Sequence, residues 1–190
     1  MAKIGLVVGE TASLPQEIIS PPHQNFGGGG KKYQMTLVPY IVDWDEGKDL
    51  PGDNIYQKMR EAERRKIKSF PKTSQPSPFA FKKIFEEELK SSEKIICITL
   101  SSGISGGYNS ASQARGMLEE KNQGRVYIID SFNTTAGEGL LILKAVDLIK
   151  GGKNIEEVVE KLKEFVPEVH LFGMFGDPKW VEAGGRMSHT

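Results

Sequence analysis

Ile95-Ile96-Cys97-Ile98-Thr99-Leu100-Ser101-Ser102-Gly103-Ile104-Ser105-Gly106 is the stretch that decides how this chain folds. Its first half is an apolar, β-branched run without polar alternation, which reads as a strand covered on both faces, as in parallel sheets. Its second half packs three serines and two glycines into six residues and leads into a helix expected over 105–120. Strand, polar turn and helix in that order form the first half of a βαβ unit.

The same pattern extends in both directions. Further strands are expected at 4–8, 36–42 and 126–130, each a continuous apolar run. Between them, 53–66 places Ile55, Tyr56, Met59 and Ala62 at helical spacing, and 77–90 does so with Phe81, Ile84, Phe85 and Leu89 behind a serine cap. Helices are also expected at 135–150, stopped by Gly151-Gly152, and from Asn154 to about 165, with Pro167 beyond. The alternation predicts an α/β fold with a largely parallel sheet flanked by helices and joined by right-handed crossovers. Residues 1–165 are expected to form one domain. Residues 166–190 read as the start of a second α/β domain that breaks off: a fresh strand over 170–175, a turn at Asp177-Pro178, then Gly184-Gly185-Arg186. One strand and one short helix cannot bury an apolar face of their own.

The 190 residues are 38% hydrophobic, and 25 Lys plus Arg balance 25 Asp plus Glu. That balance leaves no basic field of the kind a nucleic-acid surface needs. Cys97 is the lone cysteine, so no intrachain disulfide or thiolate metal site can form, which fits a reducing cytoplasm. Met1 to Val8 is too short an apolar run for a signal sequence, and no later segment reaches the roughly 20 apolar residues of a membrane span. His23, His170 and His189 lack metal-ligand spacing, so no metal or other cofactor is expected. The stretch 21–30, with Gly27 to Gly30, is expected to be a mobile surface loop. The run Arg60, Arg64, Arg65, Lys66 and Lys68, interleaved with Glu61 and Glu63, is expected to be a solvated helix end.

In an open parallel sheet, ligands bind beyond the carboxyl ends of the strands. Ser101, Ser102, Gly103, Ser105 and Gly106 lie there, as do Thr11 after the first strand and Asp130-Ser131 after the fourth. Thr73-Ser74-Gln75-Pro76-Ser77 is a second hydroxyl-rich turn; Ser77 caps the next helix, which leaves Thr73 and Ser74 without a capping role. Small hydroxyls, with free backbone N–H groups at helix starts, suit a carboxylate or a phosphate. Two other readings share these residues. Gly103-Ile104-Ser105-Gly106-Gly107 matches a G-x-S-x-G nucleophile elbow, with Asp130 or Asp147 and His170 or His189 following in α/β-hydrolase order, although Ser105 stands beyond the strand tip. A phosphate-ligand binder would use the same helix starts.

The ordered set Thr73-Ser74-Gln75-Pro76-Ser77, Leu100 to Gly106 with Tyr108-Asn109-Ser110-Ala111, Asp130-Ser131 and Gly184-Gly185-Arg186 resembles the DegV family. Val8-Gly9-Glu10-Thr11-Ala12-Ser13-Leu14-Pro15 is similar to that family's first motif. The resemblance runs from Lys3 to Arg186. It implies a bacterial cytoplasmic fatty-acid-binding protein, the lipid-carrying subunit of a fatty acid kinase, which does no chemistry itself. It further implies that the carboxylate of a long-chain fatty acid meets Thr73 and Ser101 or Ser102. Arg186 would lie near the headgroup mouth or the kinase-docking face, and the acyl chain in an apolar tunnel between two domains. Three departures stand out: Gly9 replaces a usual Asp, Gly107 a common Thr, and the chain stops where the family's second domain continues.

Overall fold

The computed structural model of the protein describes residues 3–15 and 35–187. The glycine-rich stretch with His23, and His189, lie outside the described residues. The chain packs as two compact units, Met1–Pro39 with Gln75–Phe172, and Tyr40–Ser74 with Gly173–Thr190. An internal segment, 40–74, therefore groups with the last residues rather than with its neighbours in sequence.

The first unit is built on a four-stranded sheet of β1 (Ile4–Gly9), β2 (Met35–Val38), β5 (Lys94–Thr99) and β6 (Val126–Asp130), in the order β2-β1-β5-β6 and parallel throughout. Side chains alternate across a strand, and here both faces are apolar. Leu6 and Val8 of β1 and Ile96 and Ile98 of β5 face Leu141, Ile142, Ala145, Val158 and Leu162, which come from α5 (Thr135–Lys150) and α6 (Ile155–Phe165). Val7, Ile95 and Cys97 face Phe81 and Phe85 of α2 (Pro78–Glu88) and Ala111 and Ala114 of α3 (Gly107–Gly116). The result is the expected α/β layering, with the sheet between helix pairs. Local signals set the helix starts: Ser77 accepts from Ala80 N with Pro78 in the first turn, and Asn154 and Glu157 close a reciprocal capping box.

In the second unit, β3 (Ile41–Asp43) pairs antiparallel with β4 (Lys72–Ser74), setting Val42 opposite Thr73. Trp44, Leu50 and Ala62 form its small core with Ile55 and Met59 of α1 (Ile55–Arg64). Trp44 Nε1 donates to Ser69 Oγ at 2.9 Å, and the rings of Phe70 and Trp180, the latter on α7 (Lys179–Ala183), meet edge to face with centroids 5.0 Å apart. Arg64 and Arg65 both bond Glu61, in keeping with a solvated helix end.

Four expectations are corrected. The strand expected over 36–42 is two, β2 and β3, parted at Pro39-Tyr40, where proline has no N–H for a ladder. The segment 73–74 is not a turn but the end of strand β4. The helix expected over 105–120 ends at Gly116, and a short α4 (Glu120–Gln123) folds back so that Gln123 Nε2 donates to the carbonyls of Gly116 and Leu118. Residues 170–175 are not a strand: Phe172 is 92% and Met174 98% exposed, and apolar residues form a strand only where a partner strand pairs with them.

Candidate functional site

Because all four strands of the first unit run one way, the loops that leave β1, β5 and β6 share one edge of the sheet. Backbone strain concentrates there. Ser13 (φ 48°) follows β1, and Phe132 (φ 47°) and Thr135 (φ 45°) follow β6; these are three of the four non-glycine residues with left-handed backbone among the described residues. Such conformations cost free energy and persist where surrounding structure holds them, commonly at functional sites.

The turn after β5 closes on itself. Ser101 N donates to Asn133 O, Gly103 N to Ser101 Oγ at 3.2 Å, and the N–H groups of Ile104 and Ser105 both donate to Ser101 O. Ser102 N donates to Asp130 Oδ1 at 3.1 Å, and the same oxygen accepts from Phe132 N at 3.0 Å. Gly107 N donates to Ser105 Oγ. Every backbone N–H from 101 to 105 thus has a partner inside the fold, that of the exposed Ser102 on Asp130. The turn presents hydroxyl groups to a ligand, with Ser102 exposed and Ser105 half-buried.

Ser131, expected as a contact, is instead fully buried, and its hydroxyl donates to Asn133 O at 2.9 Å. It shapes the β6 loop. Gly106 stands at the N-cap of α3 without a side chain of its own to cap it, and it packs so close to Gln75 that a Cβ there would meet its amide. Thr73, Ser74 and Arg186 belong to the second unit. Thr73 and Ser74 are exposed in β4, and Arg186 donates to Gly184 O just past α7. The structure thus gathers Thr11, Ser101, Ser102, Gly103, Ser105 and Gly106 at one sheet edge.

Thr11 has a partner that the sequence reading missed. Its hydroxyl donates to Glu138 Oε2 at 3.2 Å, and Glu138, in the first turn of α5, is fully buried with Oε1 left without a hydrogen-bond partner. Burial pushes the Glu138 carboxyl up to about 7, with the Thr11 hydroxyl opposing. Beside it, Gly139 lets the carbonyl of Ala12 approach to within 2.7 Å of where a Cβ would stand, so the turn after β1 rests on α5. A signal for Glu138 did exist: 138, 141, 142 and 145 fall at i, i+3, i+4 and i+7, which sets the glutamate on the buried stripe with Leu141, Ile142 and Ala145.

The nucleophile-elbow geometry is absent. Ser105 lies six residues past the end of β5 at Thr99, its oxygen engages the start of α3, and Asp130 holds two backbone N–H groups rather than an imidazole. Among the described residues no group of three or more His, Cys, Asp or Glu side chains is placed to hold a metal, and no helix is long and apolar enough to cross a membrane.

Comparison with known proteins adds a family. The model of the DegV family, described as an uncharacterised protein family, matches residues 29–190. A DegV domain-containing protein of Clostridium acetobutylicum is 37% identical over 193 residues, covering 100% of this chain and 63% of its own length. The crystal structure of DegV from Bacillus subtilis, described as a fatty acid binding protein, aligns with a TM-score of 0.67 at 27% identity over 88% of this chain and 55% of that one. A Thermus thermophilus DegV family protein, whose structure is described by its fatty acid binding, gives a TM-score of 0.67 at 26% identity over 87% of this chain and 54% of that one. The chain spans about three fifths of the length of the curated relatives it matches.

Proposed function

Since the chain belongs to the DegV family, we propose that it binds a long-chain fatty acid without transforming it, the carboxylate meeting the hydroxyls of Ser101 and Ser102 and the acyl chain lying in an apolar tunnel. The observation that carries this reading is the turn after β5, which presents the hydroxyls of Ser102 and Ser105 at the carboxyl edge of the sheet while its N–H groups from 101 to 105 bond within the fold. A phosphate group favours a cradle of several backbone N–H groups, and the five from 101 to 105 are already bonded. A single carboxylate needs only a few short donors. Solved relatives at 26% and 27% identity are described as binding fatty acids, which supports the same ligand. Thr73 and Ser74 enter the reading as further hydroxyls, Arg186 as a cation near the headgroup, and Thr11 as a contact at the sheet edge.

Energetics divide the work between tail and head. Burying some fifteen methylenes is worth about 12 kcal/mol gross at ~0.8 each, and several kcal/mol of that is lost to immobilisation. Hydrogen bonds to the charged head contribute about 1.5–3 kcal/mol apiece and offset its desolvation. Tail burial thus sets affinity and the hydroxyls set orientation. The family resemblance of the motifs extends the proposal to presentation of the bound carboxylate to a separate ATP-dependent fatty acid kinase.

The test is direct. Protein expressed in bacteria is extracted and its co-purifying lipids are identified by mass spectrometry, then the extraction is repeated with Ser101→Ala/Ser102→Ala. A long-chain fatty acid in the first sample and its depletion in the second are expected; a lipid-free wild type, with no uptake of added fatty acid, overturns the reading.

A further inference from the structure

The fully buried Glu138, whose Oε1 has no partner and whose Oε2 accepts a hydrogen bond from the Thr11 hydroxyl, has no part in the function proposed above. An unpartnered buried carboxyl oxygen is costly, and one is retained where it does something the apolar alternative cannot. We propose that Glu138 is a positioning residue that sets the hydrogen-bonding sense of Thr11, which holds its proton inward while Glu138 is ionised and turns it outward to an acidic ligand once Glu138 is protonated. This rests on the reading in which Thr11 touches the fatty-acid head.

The chemistry follows from donor counting. An ionised carboxylate only accepts, so the Thr11 O–H points at Oε2 and the threonine has nothing but lone pairs for a ligand. A carboxylate ligand cannot donate to those lone pairs, and the two negative charges repel. When Glu138 takes a proton from solvent, its own O–H donates to Thr11 Oγ1, and the threonine proton becomes available to the ligand. The surroundings favour the protonated form near neutrality. Burial raises the Glu138 carboxyl to about 7, and the hydroxyl of Thr11 opposes it, with no cation contributing. From α6 the buried residues are Ile155, Val158, Val159 and Leu162, from β1 Leu6 and Val8, and from α5 itself Leu141 and Ile142. Cys97 of β5 senses the charge of Glu138 from across the sheet, and burial raises its thiol so far that it stays neutral. From the turn after β1 the charged residue is Glu10, which is exposed. The packing of Gly139 against the Ala12 carbonyl keeps Thr11 within reach of Glu138 in both states.

The experiment titrates wild type, Glu138→Gln and Thr11→Val with cis-parinaric acid, read by fluorescence, from pH 5.5 to pH 8.5. Wild type is expected to bind about tenfold more weakly at the upper end than at the lower, beyond any change that the ligand alone produces. Glu138→Gln, whose uncharged amide can donate to Thr11 at any pH, should keep the tight limb throughout the range. Thr11→Val, which keeps the acid and removes the hydroxyl, should bind weakly throughout and lose the same limb. Parallel pH profiles for wild type and Glu138→Gln, or for wild type and Thr11→Val where the glutamine variant does not fold, overturn the inference while leaving fatty-acid binding intact. No binding by wild type at any pH overturns the fatty-acid reading, and this inference with it.

Discussion

Asp130 Oδ1 accepts the backbone N–H of Ser102 at 3.1 Å across 28 residues of chain, and the same oxygen accepts from Phe132 N at 3.0 Å. One carboxylate oxygen therefore ties the loop after β5 to the loop after β6. Asp130→Ala removes the shared acceptor and is expected to lower stability by about 2 kcal/mol, since bonds to a charged group are worth about 1.5–3 kcal/mol each and this site is partly solvated. Asp130→Asn keeps an acceptor oxygen and should lose less than half as much. Urea denaturation at constant slope checks both, and equal losses would show that charge rather than geometry matters.

Ser101 and Ser102 are neighbours with separable roles. Ser101 is nearly buried and its oxygen accepts from Gly103 N, so Ser101→Ala should cost about 1 kcal/mol of stability as well as ligand affinity. Ser102 is exposed, and Ser102→Ala should leave stability within about 0.5 kcal/mol while weakening fatty-acid binding. Thermal melts beside a fluorescent fatty-acid titration distinguish the two.

Glu138 also makes stability depend on pH in the absence of ligand. Its carboxyl stands at about 7 in the folded protein against an ordinary value of 4.5, so as pH rises the unfolded chain releases this proton first. Its contribution is full below about pH 4.5, declines up to about pH 7 and is level above. Glu138→Gln should remove that decline, measured as the difference between the two proteins' unfolding free energies across the range. A difference that does not vary with pH would contradict the assignment.

Phe132 holds a left-handed backbone with φ 47° and leaves its ring 67% exposed. Left-handed backbone costs a side chain with Cβ roughly 1–2 kcal/mol, and asparagine tolerates it best among such residues. Phe132→Asn should therefore raise stability by about 0.5–1 kcal/mol. A melting temperature at or below that of wild type would mean that the ring contributes packing.

The serine-hydrolase alternative predicts covalent labelling of Ser105 by a fluorophosphonate. Ser105 Oγ instead accepts the N–H of Gly107 at 3.2 Å at the entrance of α3. No label and no ester hydrolysis sensitive to Ser105→Ala are expected, as read by intact-protein mass spectrometry and a chromogenic ester.

The parallel sheet was legible because β1, β5 and β6 are continuous apolar runs, and only strands buried on both faces are written that way. β4 was not, because Lys72, Thr73 and Ser74 are all exposed and its pairing with β3 leaves no apolar period to read. The apolar run 170–175 misled for the opposite reason: it has strand composition but no paired neighbour. At the site, the hydroxyl residues of the β5 loop could be picked out by type. What the backbone N–H groups of that loop do could not, because Asp130 reaches that of Ser102 from 28 residues away and Asn133 accepts that of Ser101. Glu138 was readable in principle, since it shares the stripe of Leu141, Ile142 and Ala145, but a charged residue on a helix is by habit assigned to solvent.

The division of the chain into Tyr40–Ser74 with Gly173–Thr190, and the rest, sets an order of events on the ribosome. Everything that completes the sheet and its four helices has been synthesised once Phe172 emerges. The segment 40–74 by then lacks the Trp180 ring that meets Phe70 and the Lys179 amine that pairs with Glu63. A nascent protein therefore finishes its larger body first and closes the smaller one last, so stalling translation before codon 179 should leave segment 40–74 as the stretch that proteases cut.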